Sequence, residues 1–297
     1  MGMSPRMDEH MIVKPASERD GETVQLSDSE RTESKRRVGL RAAVVFETVR
    51  REGEQELERP MAALAFSGLA AGLSMGFSLI ATGVIRASLP DTPWRALVEN
   101  FGYTLGFLIV VLGRQQLFTE NTVTAVLPFL DHSDARTFGK VARLWAIVLV
   151  TNLVGALIVA VALAHTGAFS PTVKAAFLSI GRETLSHGFN IVLLKGIFAG
   201  WLIALMVWLL PAAENSRVSV ILIVTYIVGA AGLSHVVAGS IEGLYAVVSG
   251  AASWPAYLVG FLLPVFIGNS IGGVLLVSMI NYGQVATESD EPRATTR

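Results

Sequence analysis

The residues best placed to do chemistry lie where a membrane span ought to be regular and is not. From Tyr226 to Gly250 the chain reads as an apolar span, yet it carries Gly229, Gly232, Gly239 and Gly243 with Ser234 and His235 among them. Each interior glycine costs about 1 kcal/mol of helix propensity, so a break is expected near Gly232 to Val236. Backbone freed at that depth is tolerated only where protein buries it or water reaches it. An imidazole there can take or give a proton near neutral pH, and an ionisable group inside a span marks function by default. The plainer alternative is a hydrogen bond to a neighbouring helix. A second break is expected at Gly113 to Glu120, where Arg114, Thr119 and Glu120 stand. Arg114, and Lys195 within another apolar stretch, either attract an anion or neutralise Glu120. For Arg114 pairing is favoured, because an unpaired buried charge costs several kcal/mol. Lys195 can also snorkel towards the outer interface. Glu242 follows the second break and lines an inner vestibule or sits in solvent.

Composition bounds the class. The 297 residues are 52% hydrophobic and 16% charged, with a mean hydropathy of +0.54, which is membrane-protein composition. Residues 1–59 hold 11 Lys/Arg and 13 Asp/Glu against 10 and 8 in residues 60–283, so a polar head precedes an apolar domain. A net charge of -1 without a basic stripe argues against nucleic-acid binding. Cysteine is absent, which removes thiolate chemistry, and no histidine pair has metal-ligand spacing on one helix face. Neither metal nor cofactor is expected. Without a signal-peptide pattern, the first apolar span is expected to direct insertion.

The elements that must position these residues follow from periodicity. Residues 1–37, mixed in charge and without a period, read as a disordered tail. Over residues 38–59, Leu40, Ala43, Val44 and Val49 are interleaved with Arg41, Glu47, Arg50 and Arg51, the pattern of an amphipathic interfacial helix, weakened by Gly53. Pro60 suits the first turn of a span reaching about Ile85. Further apolar stretches lie near 96–112, 121–130, 141–164, 189–210, 218–231, 239–249 and 255–282. A crossing needs about 20 residues, so short neighbours join into six transmembrane helices over residues 60–283, the second and fifth broken. Residues 284–297 read as another disordered tail. Placing both termini in the cytoplasm leaves Arg86, Arg95, Lys174 and Arg182 outside, against Arg136, Lys140, Arg143, Arg217 and both tails inside, as the positive-inside rule prefers.

The halves echo each other. Gly113 to Thr119 matches Gly229 to His235 in spacing, Asn152-Leu-Val-Gly155 echoes Asn269-Ser-Ile-Gly272, and Gly68/Gly72 echoes Gly196/Gly200. A repeat of three passes has its second copy inverted, and in such folds the broken helices meet near the midplane. The expected fold is therefore all-α, two inverted three-helix repeats in an aquaporin-like protomer. Thr119 and His235 are expected to face each other as pseudo-symmetric partners.

Over residues 60–283 the chain resembles the formate/nitrite transporter family. The stretches that carry this are Gly106 to Thr119, Asn152 to Leu157, Lys195 to Leu209, Ser234 to Ala238 and Pro264 to Gly273. The resemblance implies an inner-membrane homopentamer with one pore per subunit, passing small monovalent anions or their conjugate acids. It implies that Leu117, Phe118 and Thr119 form the loop in the second span and that His235 is the central titratable group. It implies apolar constrictions at Tyr103, Phe107, Ile203 and Val228. The chain departs from the pattern at Arg114, Gln115, Gln116 and Glu120, and has Gly239 and Gly200 where the family often has asparagines, so a divergent subgroup is expected.

The function expected is a membrane channel or transporter whose partners are a small anion or weak acid, a proton and the bilayer, coupled through His235. One alternative is a channel for neutral solutes such as water or glycerol, although paired Asn-Pro-Ala loops are lacking. Another is an intramembrane hydrolase using Ser234. Adjacent helical residues point about 100° apart, so His235 is badly placed to serve as its base.

Overall fold

The computed structural model describes Ser27, Ser29 and residues 41–290. The tail expected over residues 1–37 otherwise lies outside the described residues, as does the end of the one expected from 284.

Helix α1, Ala42–Leu57, lies within the stretch 38–59. It buries Val45, Phe46, Val49 and Leu57, and the Phe46 ring meets Trp208 and Tyr282 at 6.5 and 5.9 Å between centroids. Gly53, which weakens the sequence pattern, lies on the buried face against the carbonyl of Thr124. On the outer face Glu47 accepts from Arg50 and Arg51. Those two hydrogen bonds, Arg50 first, hold its carboxyl down at about 2 from an ordinary 4.5. A carboxylate depressed in the folded state contributes stability above its unfolded pKa and loses it as pH falls through the folded one. A spin label at Val44, exposed on α1, is therefore expected to gain mobility as pH drops from 4.5 towards 2 and to stay constant above 4.5. A label equally mobile at both ends of that window would remove Glu47 as the cause.

The apolar domain follows as α2 (Met61–Ser88), α3 (Arg95–Leu112), α4 (Asn121–Thr124), α5 (Val126–His132), α6 (Ala135–His165), α7 (Pro171–Thr184), α8 (Phe189–Leu209), α9 (Arg217–Ala230), α10 (Ala238–Val248) and α11 (residues 254–290). Among the described residues five helices are long and apolar enough to cross a membrane: α2, α3, α6, Phe189–Ala212 and Trp254–Thr287. The remaining expected pass is divided between α9 and α10, with 14 and 11 residues, each too short alone. Helix α7 was not expected. It is amphipathic rather than uniformly apolar, capped by Ser170 with Pro171 in its first turn, and buries Ala176, Phe177 and Ile180. Helix α11 takes π-helical form at Leu258–Leu262 and Gly272–Met279 and continues to Asp290, past the expected boundary at 284.

Two asparagines define the repeat. Asn152 on α6 accepts the Phe118 N–H at 3.0 Å and donates to the carbonyls of Gly68 and Gln116 at 2.7 and 2.9 Å. Asn269 on α11 accepts the Val236 N–H at 2.9 Å and donates to the carbonyls of Gly196 and Ser234 at 2.8 and 2.9 Å. The close approach is duplicated as well: a Cβ on Gly72 would meet the Asn152 carbonyl oxygen at 2.2 Å, and one on Gly200 the Asn269 carbonyl oxygen at 2.4 Å. An asparagine at Gly200 does not fit that backbone.

This correspondence corrects the register read from the sequence. Phe118 pairs with Val236, Arg114 at φ 49° with Gly232 at φ 58°, and the Gln115 N–H to Val110 carbonyl bond with Leu233 N–H to Val228. His235 is thus the counterpart of Leu117, and Thr119 that of Val237. The two polar residues meet, but not as symmetry mates.

Candidate functional site

Two cavities approach the centre. One, of about 380 Å³, is lined by residues that include Glu99, Tyr103, Lys195, His235, Gly239 and Glu242. The other, of about 200 Å³, is lined by residues that include Glu52 of α1, Arg114, Gln115, Glu120 and Arg217. Helix α3 starts at the first cavity and its break faces the second. Helix α9 starts at the second and its break faces the first, as inversion requires.

Between the cavities Thr119 and His235 are buried, and Thr119 Oγ1 lies 2.8 Å from His235 Nε2. The ring's other nitrogen, Nδ1, accepts the N–H groups of Val237 and Ala238 at 3.3 and 3.2 Å. His235 therefore caps α10, satisfying two donors that a helix start leaves free. A nitrogen that accepts carries no proton, so the contacts fit the neutral tautomer with hydrogen on Nε2, donating to Thr119. The Thr119 hydroxyl hydrogen is then not used in this contact. Phe107 meets the imidazole edge-on at 5.0 Å, and Tyr103 meets Phe107 at 5.4 Å.

The other expected pathway residues divide. Phe107, Leu117, Ile203 and Val228 are fully buried and line neither cavity, as an apolar closure between them would. Phe118 packs against Trp145 and Phe266, at 5.3 Å from each, and contributes its N–H to Asn152. Gly239 lines the larger cavity, but its missing side chain makes no opening. A Cβ there would meet Phe261 Cζ at 2.4 Å, so an aromatic ring covers the wall beside the histidine.

Three charged residues behave differently from expectation. Arg114 does not pair with Glu120; its left-handed backbone turns the side chain outward to Glu52 of α1, 3.2 Å away. Glu120 keeps one carboxyl oxygen buried without a partner. Glu242 does not line the α1-side vestibule; it is half-buried in the opposite cavity, where its Oε2 accepts from Thr184 at 2.6 Å. Lys195 donates to His187 Nε2 at 2.9 Å in the same cavity. Sequence reasoning missed the group beside it: Arg86 on α2 bridges Glu99 at 2.5 Å and Glu183 at 2.8 Å. A basic and an acidic residue on different helices carry no spacing signal.

Broken helices, an asparagine-braced repeat and a polar pair closed between two cavities define a multi-pass membrane protein of the channel and transporter class. A family model for the formate/nitrite transporter matches residues 43–283. The chain is 40% identical over 257 residues to inner membrane protein YfdC of Escherichia coli K12, covering 86% of this chain and 83% of that protein. It is 27% identical to a probable formate transporter of Methanothermobacter thermautotrophicus, over 74% of this chain and 83% of the relative. Among solved structures, an FNT family ion channel aligns with a TM-score of 0.70 at 20% identity, over 82% of this chain and 98% of that one. A pentameric formate channel with formate bound aligns at 0.65 and 21%, over 76% and 98%. The chain belongs to the formate/nitrite transporter family.

Proposed function

We propose that the protein is an inner-membrane homopentamer with both termini cytoplasmic, each subunit passing a small weak acid together with a proton. The observation that carries this reading is the Thr119–His235 pair, sealed in apolar packing between two polar cavities. For a carboxylate with a pKa near 4, forming the neutral acid at neutral pH costs roughly 4 kcal/mol. Taking the bare anion through the apolar closure costs more, since desolvation penalties remain several kcal/mol per ion after relaxation. The proton therefore travels with the substrate. The Thr119 hydroxyl hydrogen-bonds the acid at the midpoint, and the imidazole behind it takes up the proton when the ring releases the α10 amides. The names of the relatives support a formate-like substrate and a pentamer. The Lys/Arg distribution supports the orientation.

The test is uptake of a panel of weak-acid anions, formate, acetate and nitrite among them, into proteoliposomes as pH is varied, with internal pH followed in parallel. Uptake that rises with acidity and carries protons is expected. Uptake without proton movement, or flux of glycerol but of none of the acids, would sink the reading.

A further inference from the structure

Most of the charge in the larger cavity is already neutralised. Arg86 takes up Glu99 and Glu183, and Arg95 lies 3.6 Å from Glu99. Three polar groups are left. Lys195 has no ion-pair partner among the described residues; its contact is the ring of His187. Glu242 has none either, and holds only the Thr184 hydroxyl. Thr82, 7% exposed, has its hydroxyl oxygen buried without a hydrogen-bond partner. All three line the cavity that ends at His235. Gly239 and Glu242 share a face of α10 at i and i+3, which puts Glu242 about 5 Å further from the centre.

We propose that Glu242 is the residue that puts the proton on the incoming anion, before Thr119 and His235 are reached. This rests on the weak-acid reading above. Lys195 and Thr82 offer donors to the anion, and Glu242 shares that cavity as its carboxyl without a cation. The Glu242 Oε–H bond breaks, a substrate oxygen takes the proton, and the neutral acid moves inward. The carboxylate left behind takes its next proton from vestibule water. Glu99 and Glu183 are tied to Arg86, and the His235 ring is held at both nitrogens. The charged and titratable groups around Glu242 are Arg86 from α2, Glu99 and Tyr103 from α3, Glu183 from α7, His187 and Lys195 at and within α8, His235, and Tyr257 at the start of α11. Helix α6 contributes no residue to the cavity lining.

The test compares wild type, Glu242→Gln, Glu242→Asp and Thr184→Val, all full length in proteoliposomes, by uptake of radiolabelled formate and acetate from acid to slightly alkaline pH. Wild type must first show acid-dependent uptake; without it the weak-acid reading itself fails, independently of Glu242. Glu242→Gln is expected to lose roughly a hundredfold at neutral pH, the low end of what a positioned acid supplies. The loss should shrink as acidity raises the free acid in bulk, and Glu242→Asp should recover most of it. Neutral-pH uptake that is unchanged or raised overturns the proposal, since the carboxylate then only repels anions. A loss of equal factor at every pH also overturns it, as a packing role would give. Should Glu242→Gln fail to assemble, Thr184→Val decides: a displaced pH profile supports the proposal and an unmoved one overturns it.

Discussion

Asn269→Leu is expected to leave little assembled protein, and Asn152→Leu to do the same. Each asparagine side chain serves three backbone groups at once, and two of the three in each set belong to the irregular backbone of a break. Leucine has similar volume but neither donor nor acceptor. The stranded groups lie at a depth where water does not replace the partner, and each buried unsatisfied group costs about 1–3 kcal/mol. The sum is several kcal/mol, a large part of the roughly 5–15 kcal/mol that holds a typical domain folded. Asn281→Leu is the control, because that side chain holds only the carbonyl of Val277, within its own helix. Thermal unfolding in detergent, with size-exclusion chromatography, reads the outcome. A melting temperature for Asn269→Leu within a few degrees of the control would mean that the breaks are held by packing rather than by the amides.

How much of this was legible in the sequence depends on what each residue must satisfy. The positions of the breaks were, since the glycines around 113 and 232 remove helix propensity where length demands a crossing. The matching asparagines were visible too, although their bonds were not, because hydrogen bonding across more than thirty positions leaves no periodic trace. The register slipped by two residues because glycine was aligned with glycine. The left-handed turn falls on Gly232 in one half but on Arg114 in the other, and a non-glycine residue there is uncommon. The same turn undid the expected Arg114–Glu120 pair, which assumed that neighbours in sequence point the same way. Alignment on Asn152 and Asn269 would have reduced the slip to one residue without removing it, because the two halves differ by one residue between the break and the asparagine. The contents of the larger cavity were not legible, because Thr82, Lys195 and Glu242 come from three helices and meet only through the fold.

Thr119→Val is expected to lower weak-acid uptake by roughly ten- to a hundredfold with the protein still assembled. Valine has nearly the shape of threonine, so the buried packing is kept. What disappears is the oxygen that accepts from His235 Nε2 and the hydrogen proposed above to meet the acid. One buried polar group left without its partner costs about 1–3 kcal/mol, and each 1.4 kcal/mol is a factor of ten in rate. Thr119→Ser keeps the hydroxyl and should stay within a few-fold of wild type on the same scale. His235→Asn separates the ring's two duties. An amide oxygen at the place of Nδ1 can accept from the α10 N–H groups, so the cap is retained, whereas the shorter side chain gives up the Nε2 contact with Thr119. The amide does not titrate near neutral pH. Uptake should fall and its pH dependence should change, whereas a purely structural histidine predicts reduced flux with the pH profile unmoved. The deciding measurement is that profile in proteoliposomes: if it is the same for His235→Asn as for wild type, the imidazole takes no part in moving the proton and serves only as the cap of α10.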